Sequence, residues 1–183
     1  MDVNEATNST FFTGLTLSGG AEQAMVSLSN YFSHSSRDWE SKLVVLLKEK
    51  TTSSELEQFA ADSVIRLNAR RTVSSVFQVA RIIAREKPSV IVSSLPHVSA
   101  VVSLARIFSW AKVNHVVRLE SGFRDLPMQG ASTRLKAAIV RKFVSMADRF
   151  IVVAEEMAPS LARVLVRRFE DFTFIPNPVV LPN

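Results

Sequence analysis

The sequence predicts an α/β protein with a Rossmann-like, doubly wound fold, in which helices cover both faces of a mainly parallel sheet of about six or seven strands. Three observations support this fold class. Short apolar or β-branched runs alternate along the whole chain with segments of helical periodicity. Several of these runs are apolar without alternation, as expected for strands that are buried on both faces. A glycine turn after the first run leads directly into a helical pattern.

The first third of the chain contains the first strand, the glycine turn and the first helix. Residues 10–15 form a short strand, and the glycine turn follows it. The next apolar residues recur at helical spacing on one face: Ala21, Met25, Leu28 and Phe32. Residues 42–47 and 63–67 are then predicted strands, and a polar, helical link connects them over residues 51–62.

The rest of the chain continues the alternation of strands and helices. Strands are predicted at 89–93, 115–120, 149–154 and 172–175. The helices between them have apolar faces formed by Val73, Val76, Phe77, Ala80, Ile83 and Ala84, by Val98, Val101, Val102, Ala105 and Phe108, and by Leu135, Ile139, Phe143 and Met146. A last helix begins at Glu155. Residues 121–130 are rich in turn formers and are predicted to be a loop.

The composition argues against several classes of function. The chain has 183 residues, enough for one domain with a substantial core. Because it contains no Cys and its three His residues are far apart, we expect neither a metal site nor another cofactor. One Tyr and two Trp offer little for stacking bases, so no nucleic-acid partner is expected despite the net charge of +5. Without a signal-like segment or an apolar run of ~20 residues, we expect a cytoplasmic location.

The excess of basic residues, 22 Lys and Arg against 17 Asp and Glu, favours phosphorylated substrates or an anionic membrane surface as partners. Residues 134–149 carry five basic side chains around an apolar stripe. Such a helix either lies on anionic lipid or buries its stripe against the sheet and exposes a solvated basic face. A peripheral location at the inner face of the membrane depends on the first alternative.

The fold class places the candidate site at the carboxyl ends of the strands, where doubly wound sheets bind their ligands. Gly19 and Gly20 follow the first strand there, and their missing Cβ atoms allow a ligand to approach the backbone. The N–H groups at the start of the next helix favour a phosphate or carboxylate. Glu22 either adjusts this loop or only complements the helix dipole, and the glycines alternatively form a plain tight turn.

Two further candidates lie at the same edge of the predicted sheet. His97 comes after the fourth strand, where it either contributes to a site or is a partly exposed residue at a helix start. Arg118 in the fifth strand either binds an acceptor phosphate through its planar guanidinium or pairs with Glu120. His34 and His115 are expected to be structural or exposed.

Four motifs occur in a characteristic order: GGAEQ at residues 19–23, VIVSSLPH at 90–97, VVRLES at 116–121 and FIPNPV at 174–179. Their order and spacing resemble those of the N-terminal domain of retaining GT-B glycosyltransferases, in particular the family 4-like class that builds bacterial polysaccharides, lipopolysaccharides and glycolipids. Such enzymes move a sugar from a nucleotide-sugar to a glycan or lipid-linked acceptor. The resemblance implies an acceptor-binding domain at 10–175, after an irregular segment 1–9 and before the start of an interdomain linker at 176–183.

The resemblance also implies roles for individual residues. Gly19, Gly20 and Glu22 would face the donor diphosphate. His97 and Glu120 would be catalytic, and the acceptor would be bound by Arg118, Ser121 and Arg124. The nucleotide-sugar itself would bind mostly to a second domain or a partner chain, so the chain alone is expected to be inactive. Enzymes of this class generally need no catalytic metal.

Two departures from the family pattern matter. The paired glutamates of the donor-binding domain, spaced E-x7-E, have only a coincidental match here at Glu49 and Glu57, in a polar loop. Many relatives carry a histidine after the fifth strand, where this chain has Glu120. The chain is therefore expected to be a fragment or one subunit of a split enzyme. The alternatives are a non-catalytic subunit that scaffolds or membrane-anchors a partner transferase, and a basic nucleic-acid-binding domain.

Overall fold

The computed structural model describes residues 7–13, 20–35, 39–47, 64–69, 72–120 and 131–177. Within these ranges seven strands form one sheet: β1 (Thr7–Thr13), β2 (Trp39–Leu47), β3 (Val64–Ala69), β4 (Val90–Ser94), β5 (Asn114–Leu119), β6 (Arg149–Val152) and β7 (Phe172–Phe174). The strand order is β3-β2-β1-β4-β5-β6-β7, and each of these pairings is parallel. The predicted α/β, doubly wound fold is confirmed.

The α-helices of the described residues lie between these strands in sequence: α1 (Gly20–Ser35), α2 (Val76–Glu86), α3 (Pro96–Ser109), α4 (Ala131–Val144) and α5 (Met157–Leu165). A 3-10 turn, Thr72–Ser75, leads into α2. The helix predicted from Glu155 begins at Met157, and the strand predicted from residue 42 begins at Trp39. The predicted helical link at 51–62 and the predicted loop at 121–130 lie outside the described residues, as do Glu49 and Glu57.

Each face of the sheet is covered by its own helices. On one face α1 packs Met25 and Val26 against Leu43 and Val45, and its Leu28 and Phe32 pack against the same cluster, which confirms the apolar face predicted for this helix. On the opposite face the strand register aligns Phe12, Ser93, Val117 and Phe150 in one row across four strands. Helices α2 and α3 cover the Phe12 end of this row, and α4 and α5 cover the Phe150 end.

Strand β1 begins earlier than predicted. The segment 7–9 was expected to be irregular because it is polar, yet Thr7 is the first residue of β1. The reason is pairing, since Thr7 to Thr13 run parallel to Trp39 to Val45 of β2 and gain ladder hydrogen bonds along the whole length. Ser9 and Thr10 are buried in consequence.

The apolar face predicted for the segment 72–86 is only partly buried. The buried stripe of α2 consists of Val76, Val79, Ala80, Ile82 and Ile83. Val73, Phe77 and Ala84 were predicted on the buried face and are exposed, and Phe108 of α3 is half-exposed. A helix contacts a sheet along one stripe only, so apolar residues that extend around the helix beyond this stripe remain in solvent.

The apolar face predicted for α4 is likewise only partly correct, since Phe143 alone of its four residues packs against the core. Ala137 and Val144 are buried there, and Val140 and Phe143 pack against the core. Leu135, Ile139 and the following Met146 are exposed instead. Leu135 and Ile139 thus lie on the side of α4 that is turned away from the core.

Candidate functional site

The chain reverses its direction of travel across the sheet between β1 and β4. From β1 it moves outward through β2 and β3, and then returns to place β4 on the other side of β1. At the carboxyl ends of these two neighbouring strands begin α1 and α3, at Gly20 and Pro96. Loops that diverge from adjacent strands leave a crevice between them, which is where open α/β sheets bind ligands.

A cavity of about 280 Å³ occupies this crevice. It is lined by Ala21 of α1, by Leu95 and Pro96 after β4, and by Arg118, Leu119 and Glu120 at the end of β5. Three segments that the sequence predicted as site loops therefore meet at one place. Gly19, Ser121 and Arg124 of the predicted site lie outside the described residues.

Gly20 opens α1 beside the cavity and is exposed. A Cβ atom added at this position would have no described atom of the protein within 4 Å. No described atom of the protein therefore fills the space beside Gly20 at the start of α1. The unpaired N–H groups of a helix start attract an anion to such a space.

Glu22, the next candidate, is buried in the first turn of α1. Among the described residues it has no hydrogen bond or ion pair. The N-terminal end of the helix dipole favours a carboxylate at this position. The geometry thus leaves both sequence alternatives for Glu22 open.

The turn between β4 and α3 is strained. Leu95 has φ 68° and ψ 125°, a conformation that L-residues rarely adopt. This turn allows Pro96 to begin α3, where its missing N–H costs nothing, and the N–H of Ser99 donates to the Leu95 carbonyl at 2.9 Å. Non-glycine residues in such conformations concentrate at ligand sites.

His97 and Ser94 flank this turn. Burial lowers the pKa of the His97 imidazole below its usual value, so the ring is neutral at neutral pH. The Ser94 hydroxyl is fully buried at the end of β4 and has no hydrogen-bond partner among the described residues. Sequence reasoning placed Ser94 in a site loop without assigning it a function, because an unpartnered hydroxyl is visible only in the structure.

Arg118 is buried at the end of β5, with 3% of its side chain exposed. Its guanidinium donates to the Glu120 carboxylate and to the side-chain oxygen of Asn177, which follows β7. Burial lowers the pKa of the Arg118 guanidinium. The ion pair with Glu120 was one of the two sequence alternatives for Arg118, and it holds the predicted catalytic carboxylate against the cavity wall. The contact with Asn177 was not predicted.

A cluster of buried polar side chains lies between α3 and the strands β4 and β5. The Ser93 hydroxyl is 2.8 Å from His115 Nε2 and 2.9 Å from the Ser99 hydroxyl, and the Ser103 hydroxyl is 3.2 Å from His115 Nδ1. The backbone N–H of His115 donates to the Asp148 carboxylate at 2.7 Å. His115 is thus structural and fully buried. The sequence does not predict this cluster. The spacing of Ser99 and Ser103 places the two residues on one helix face, but it does not indicate that this face meets Ser93 and His115.

The family model described as "Glycosyl transferase 4-like domain" matches residues 19–178. The chain belongs to this family. The match extends from the glycine turn to the segment after β7, so it includes each wall of the cavity.

Solved structures show the same fold at low sequence identity. The apo form of the lipopolysaccharide outer core galactosyltransferase WaaB aligns with a TM-score of 0.71 and 13% identity, over 93% of this chain and 46% of that one. HepE of Anabaena in complex with UDP aligns with a TM-score of 0.63 and 16% identity, over 93% and 44%. A UDP-N-acetylglucosamine 2-epimerase from Rickettsia bellii aligns with a TM-score of 0.57 and 16% identity, over 91% and 44%.

This glycosyl transferase 4-like domain spans less than half the length of the solved structures it matches. No curated protein matches its sequence at a significant level. None of the helices in the described part of the chain combines the length and apolarity that crossing a bilayer requires. Nor do the described residues contain a group of three or more His, Asp or Glu side chains placed to hold a metal ion.

The cavity edge of this glycosyl transferase 4-like domain combines complementary chemical groups. The start of α1 offers backbone N–H groups to an anion, whereas Glu120 offers a carboxylate whose charge Arg118 balances. His97 adds a neutral imidazole close to the cavity-lining Pro96. Such an edge can hold an anionic group on one side and hydroxyl groups on the other.

Proposed function

We propose that this chain is the N-terminal, acceptor-binding half of a retaining GT-B glycosyltransferase. It would act in moving a sugar from a nucleotide-sugar to a glycan or lipid-linked acceptor. The observation that carries the proposal is the cavity at the carboxyl edge of the sheet, in a domain whose family match covers residues 19–178. One wall of a cleft is built by this edge, and the second wall would come from a further domain or a partner chain.

Donor binding is proposed at the start of α1. Gly19 and Gly20 would allow the diphosphate of the donor to approach the backbone, and Glu22 would tune the same turn. UDP-sugars are the first donors to test, because a solved neighbour, HepE, is a complex with UDP and glucose in one of its structures. The diphosphate of the leaving nucleotide gains negative charge during transfer, and fixed N–H donors stabilise such charge strongly.

The acceptor would lie on the opposite side of the cavity. His97 and Glu120 are proposed near the reaction centre, where Glu120 would accept a hydrogen bond from an acceptor hydroxyl. Ser121 and Arg124 would contact the acceptor beyond the described edge. Arg118 is already paired with Glu120 and Asn177, so we propose that it binds acceptor only through a remaining N–H group. Positioning of the two substrates would supply much of the acceleration.

The segment after β7 is proposed as the start of the interdomain linker. Ile175 is still bound to the sheet, because its N–H donates to the Val152 carbonyl at 2.9 Å. A lipid-linked acceptor would require the enzyme to work at the inner face of the membrane as a peripheral protein. The second candidate function is a non-catalytic subunit that scaffolds or membrane-anchors a partner transferase.

The test is reconstitution. The chain is purified from its native host together with whatever protein accompanies it, and transfer from UDP-glucose and UDP-galactose is measured with and without that partner. We expect no turnover by the isolated chain, turnover by the pair, and retention of the anomeric configuration in the NMR spectrum of the product.

The remaining outcomes identify which part of the proposal fails. Turnover by the isolated chain would contradict the half-enzyme assignment, and an inverted anomer would contradict the retaining mechanism. Full activity of the partner alone would favour the non-catalytic subunit.

A further inference from the structure

We propose that the outer side of α2, α3 and α4 is a docking surface for an anionic lipid bilayer. This surface, the basic-aromatic face, is defined by six exposed apolar side chains: Phe77, Ile107, Phe108, Trp110, Leu135 and Ile139. The proposal extends beyond sugar transfer.

The apolar part of this face is continuous between α2 and α3. The rings of Phe77 and Phe108 are in contact, with their centroids 5.5 Å apart. At the end of α3, Trp110 borders a shallow cavity of about 290 Å³ together with Ala84 of α2. Phe77 and Ala84 are seven residues apart, which puts them on one side of α2. The exposed aromatic residues thus form a patch across two helices.

Trp110 is almost completely exposed. It is 93% exposed, the highest value of any large apolar residue in the described chain. Its φ of 55° lies in the left-handed region at the end of α3, where glycine is the usual residue. The fold therefore carries a bulky indole in solvent at a position that disfavours it, and a partner surface would give the indole a function. Indole rings prefer the headgroup level of a bilayer.

The three helices that carry the basic-aromatic face have an excess of basic residues, although Arg106 is paired with Asp148. Helices α2, α3 and α4 contain seven Lys or Arg residues and a single acidic residue, Glu86. Glu86 is already paired with Lys42 and Arg85, each at 2.6 Å. Lys87 and Lys112 add two exposed ammonium groups beside Trp110. On the opposite face of the sheet α1 contains Glu22 and no Lys or Arg.

This composition fits a bilayer better than an acidic protein. Lys and Arg interleaved with Phe, Trp and Leu are typical of helices that lie in the membrane interface, where the apolar side chains enter the acyl boundary and the basic ones contact anionic headgroups. An acidic protein partner would satisfy the charges without burying the aromatic rings in lipid. Vesicle binding that requires both the aromatic side chains and the anionic lipid therefore distinguishes a bilayer from an acidic protein partner.

Vesicle binding by the full chain tests the proposal. The chain contains two Trp residues, so Trp39→Phe makes Trp110 the only indole. In this background we expect binding to phosphatidylcholine vesicles with roughly 30% phosphatidylglycerol, a blue shift of Trp110 emission and its quenching by brominated lipid. Binding should weaken about tenfold or more in Phe77→Ser, in Trp110→Ser of the otherwise native chain, and when salt is raised to about 0.5 M.

A matched control is available on the other face. Tyr31 of α1 is exposed to a similar degree as Phe77, 63% against 73%, so Tyr31→Ser removes comparable apolar area away from the proposed surface. We expect it to bind vesicles as the native chain does. Because Phe77 and Trp110 are exposed, we expect circular dichroism to show that their Ser variants are folded. The double charge reversal Arg81→Glu with Lys112→Glu should abolish vesicle binding independently of the aromatic residues.

Each other outcome overturns the proposal. Absence of binding, equal binding to neutral vesicles at high salt, or equal loss in Tyr31→Ser would exclude the basic-aromatic face as an anionic-lipid surface. Unchanged binding in Trp110→Ser, with equal affinity for heparin, would indicate a purely electrostatic surface for a polyanion or acidic protein. The assay contains neither donor nor acceptor, so its failure is distinguishable from failure of the transfer test.

Discussion

The imidazole of His115 has the most strongly shifted pKa among the residues that the structure describes. Its imidazole is enclosed by Ser93 and Ser103, and burial, aided by the Arg106 charge, lowers its pKa to about 3, although the Asp148 carboxylate acts in the opposite direction. A neutral imidazole with one donor and one acceptor nitrogen can satisfy both hydroxyl groups. The protonated form would have to be buried with its charge, so unfolding becomes favourable in acid.

The first prediction follows from this pKa. In the unfolded chain His115 titrates near its usual 6.5, whereas in the folded chain it stays neutral down to about 3. Its contribution to stability is therefore complete above pH 6.5 and falls as the pH drops from 6.5 towards 3, by about 1.4 kcal/mol per pH unit. Urea unfolding between pH 7 and about 4.5 measures this slope.

The control for this slope is His115→Gln, which keeps a hydrogen-bonding side chain and removes the titration. We expect the variant to be less stable at pH 7 but to lose less stability on acidification. Asp148 does not confound the comparison. Although burial alone would raise its pKa, the hydrogen bonds from Arg106 and the His115 backbone place the pKa of Asp148 below its usual value, outside this window. Equal slopes in both proteins would contradict the assignment.

Arg118 gives the second prediction. Its guanidinium joins the end of β5 to Asn177, so it fixes the segment that leaves the sheet after β7. A hydrogen bond to a charged group contributes about 1.5–3 kcal/mol. A double-mutant cycle with Arg118→Ala and Asn177→Ala should therefore give a coupling free energy of unfolding of about 1–2 kcal/mol.

The reference for this cycle pairs Arg118→Ala with Ser160→Ala, an exposed residue of α5 that has no contact with Arg118. We expect these two changes to be additive within about 0.5 kcal/mol. If the Asn177 cycle is equally additive, Arg118 does not hold the segment that follows β7.

At this scale the sequence predicts candidate residues and the Arg118–Glu120 pair, but not the partners that are distant in sequence. Arg118 and Glu120 were assigned to one edge because both are at the end of one strand. Asn177 was not assigned there, because it is distant in sequence and only the pairing of β5 with β6 and of β6 with β7 brings it close. The cluster around His115 was missed for the same reason, since its hydroxyl groups come from β4 and α3.

Among the secondary-structure elements, α1 connects the fold to the proposed function. Gly20 begins this helix with open space where a side chain would project. The third prediction is that Gly20→Val changes the free energy of unfolding by less than about 1 kcal/mol. The same substitution should lower transfer by the reconstituted pair about tenfold or more, because its branched Cβ prevents a diphosphate from approaching the backbone.

Ala138→Val is the matched control for Gly20→Val. It introduces the same β-branched side chain at an exposed position of α4, a helix that contributes no residue to the described lining of the cavity. It should leave transfer unchanged. Equal loss in the two variants, or full transfer by Gly20→Val, would remove the assignment of Gly20 to a diphosphate-facing turn.

Helix positions and the buried side of α1 were predictable from the sequence, whereas the buried sides of α2 and α4 were predicted only in part. Pro96 and the left-handed Lys87 delimit α3 and α2 through local chemistry that acts within a few residues. Which side of α2 faces the sheet depends on packing against β strands that are distant in sequence. Phe77 and Ile139 were placed inside on periodicity alone, and their exposure defines the basic-aromatic face.

For the whole molecule, the strand order determines how protection against exchange should be distributed. Central strands have hydrogen-bond partners on both sides and helices on both faces, whereas β7 has three residues and pairs only with β6 among the described strands. Thr173 and Phe174 are also exposed. Local opening of such an edge requires much less free energy than global unfolding.

The fourth prediction concerns hydrogen exchange of the isolated chain. Amides of β4 and β5 should exchange at least about 100-fold more slowly than those of β7, because only global unfolding exposes them. Adding the donor-binding partner should slow exchange in residues 172–177, since the proposed linker starts there and Arg118 already holds Asn177. Residues of α1 beyond its first turn, such as Tyr31, serve as an internal reference that the partner leaves unchanged. Slow exchange in β7 of the isolated chain would contradict its position at the sheet edge, and protection confined to α1 would place the partner on the other face of the sheet.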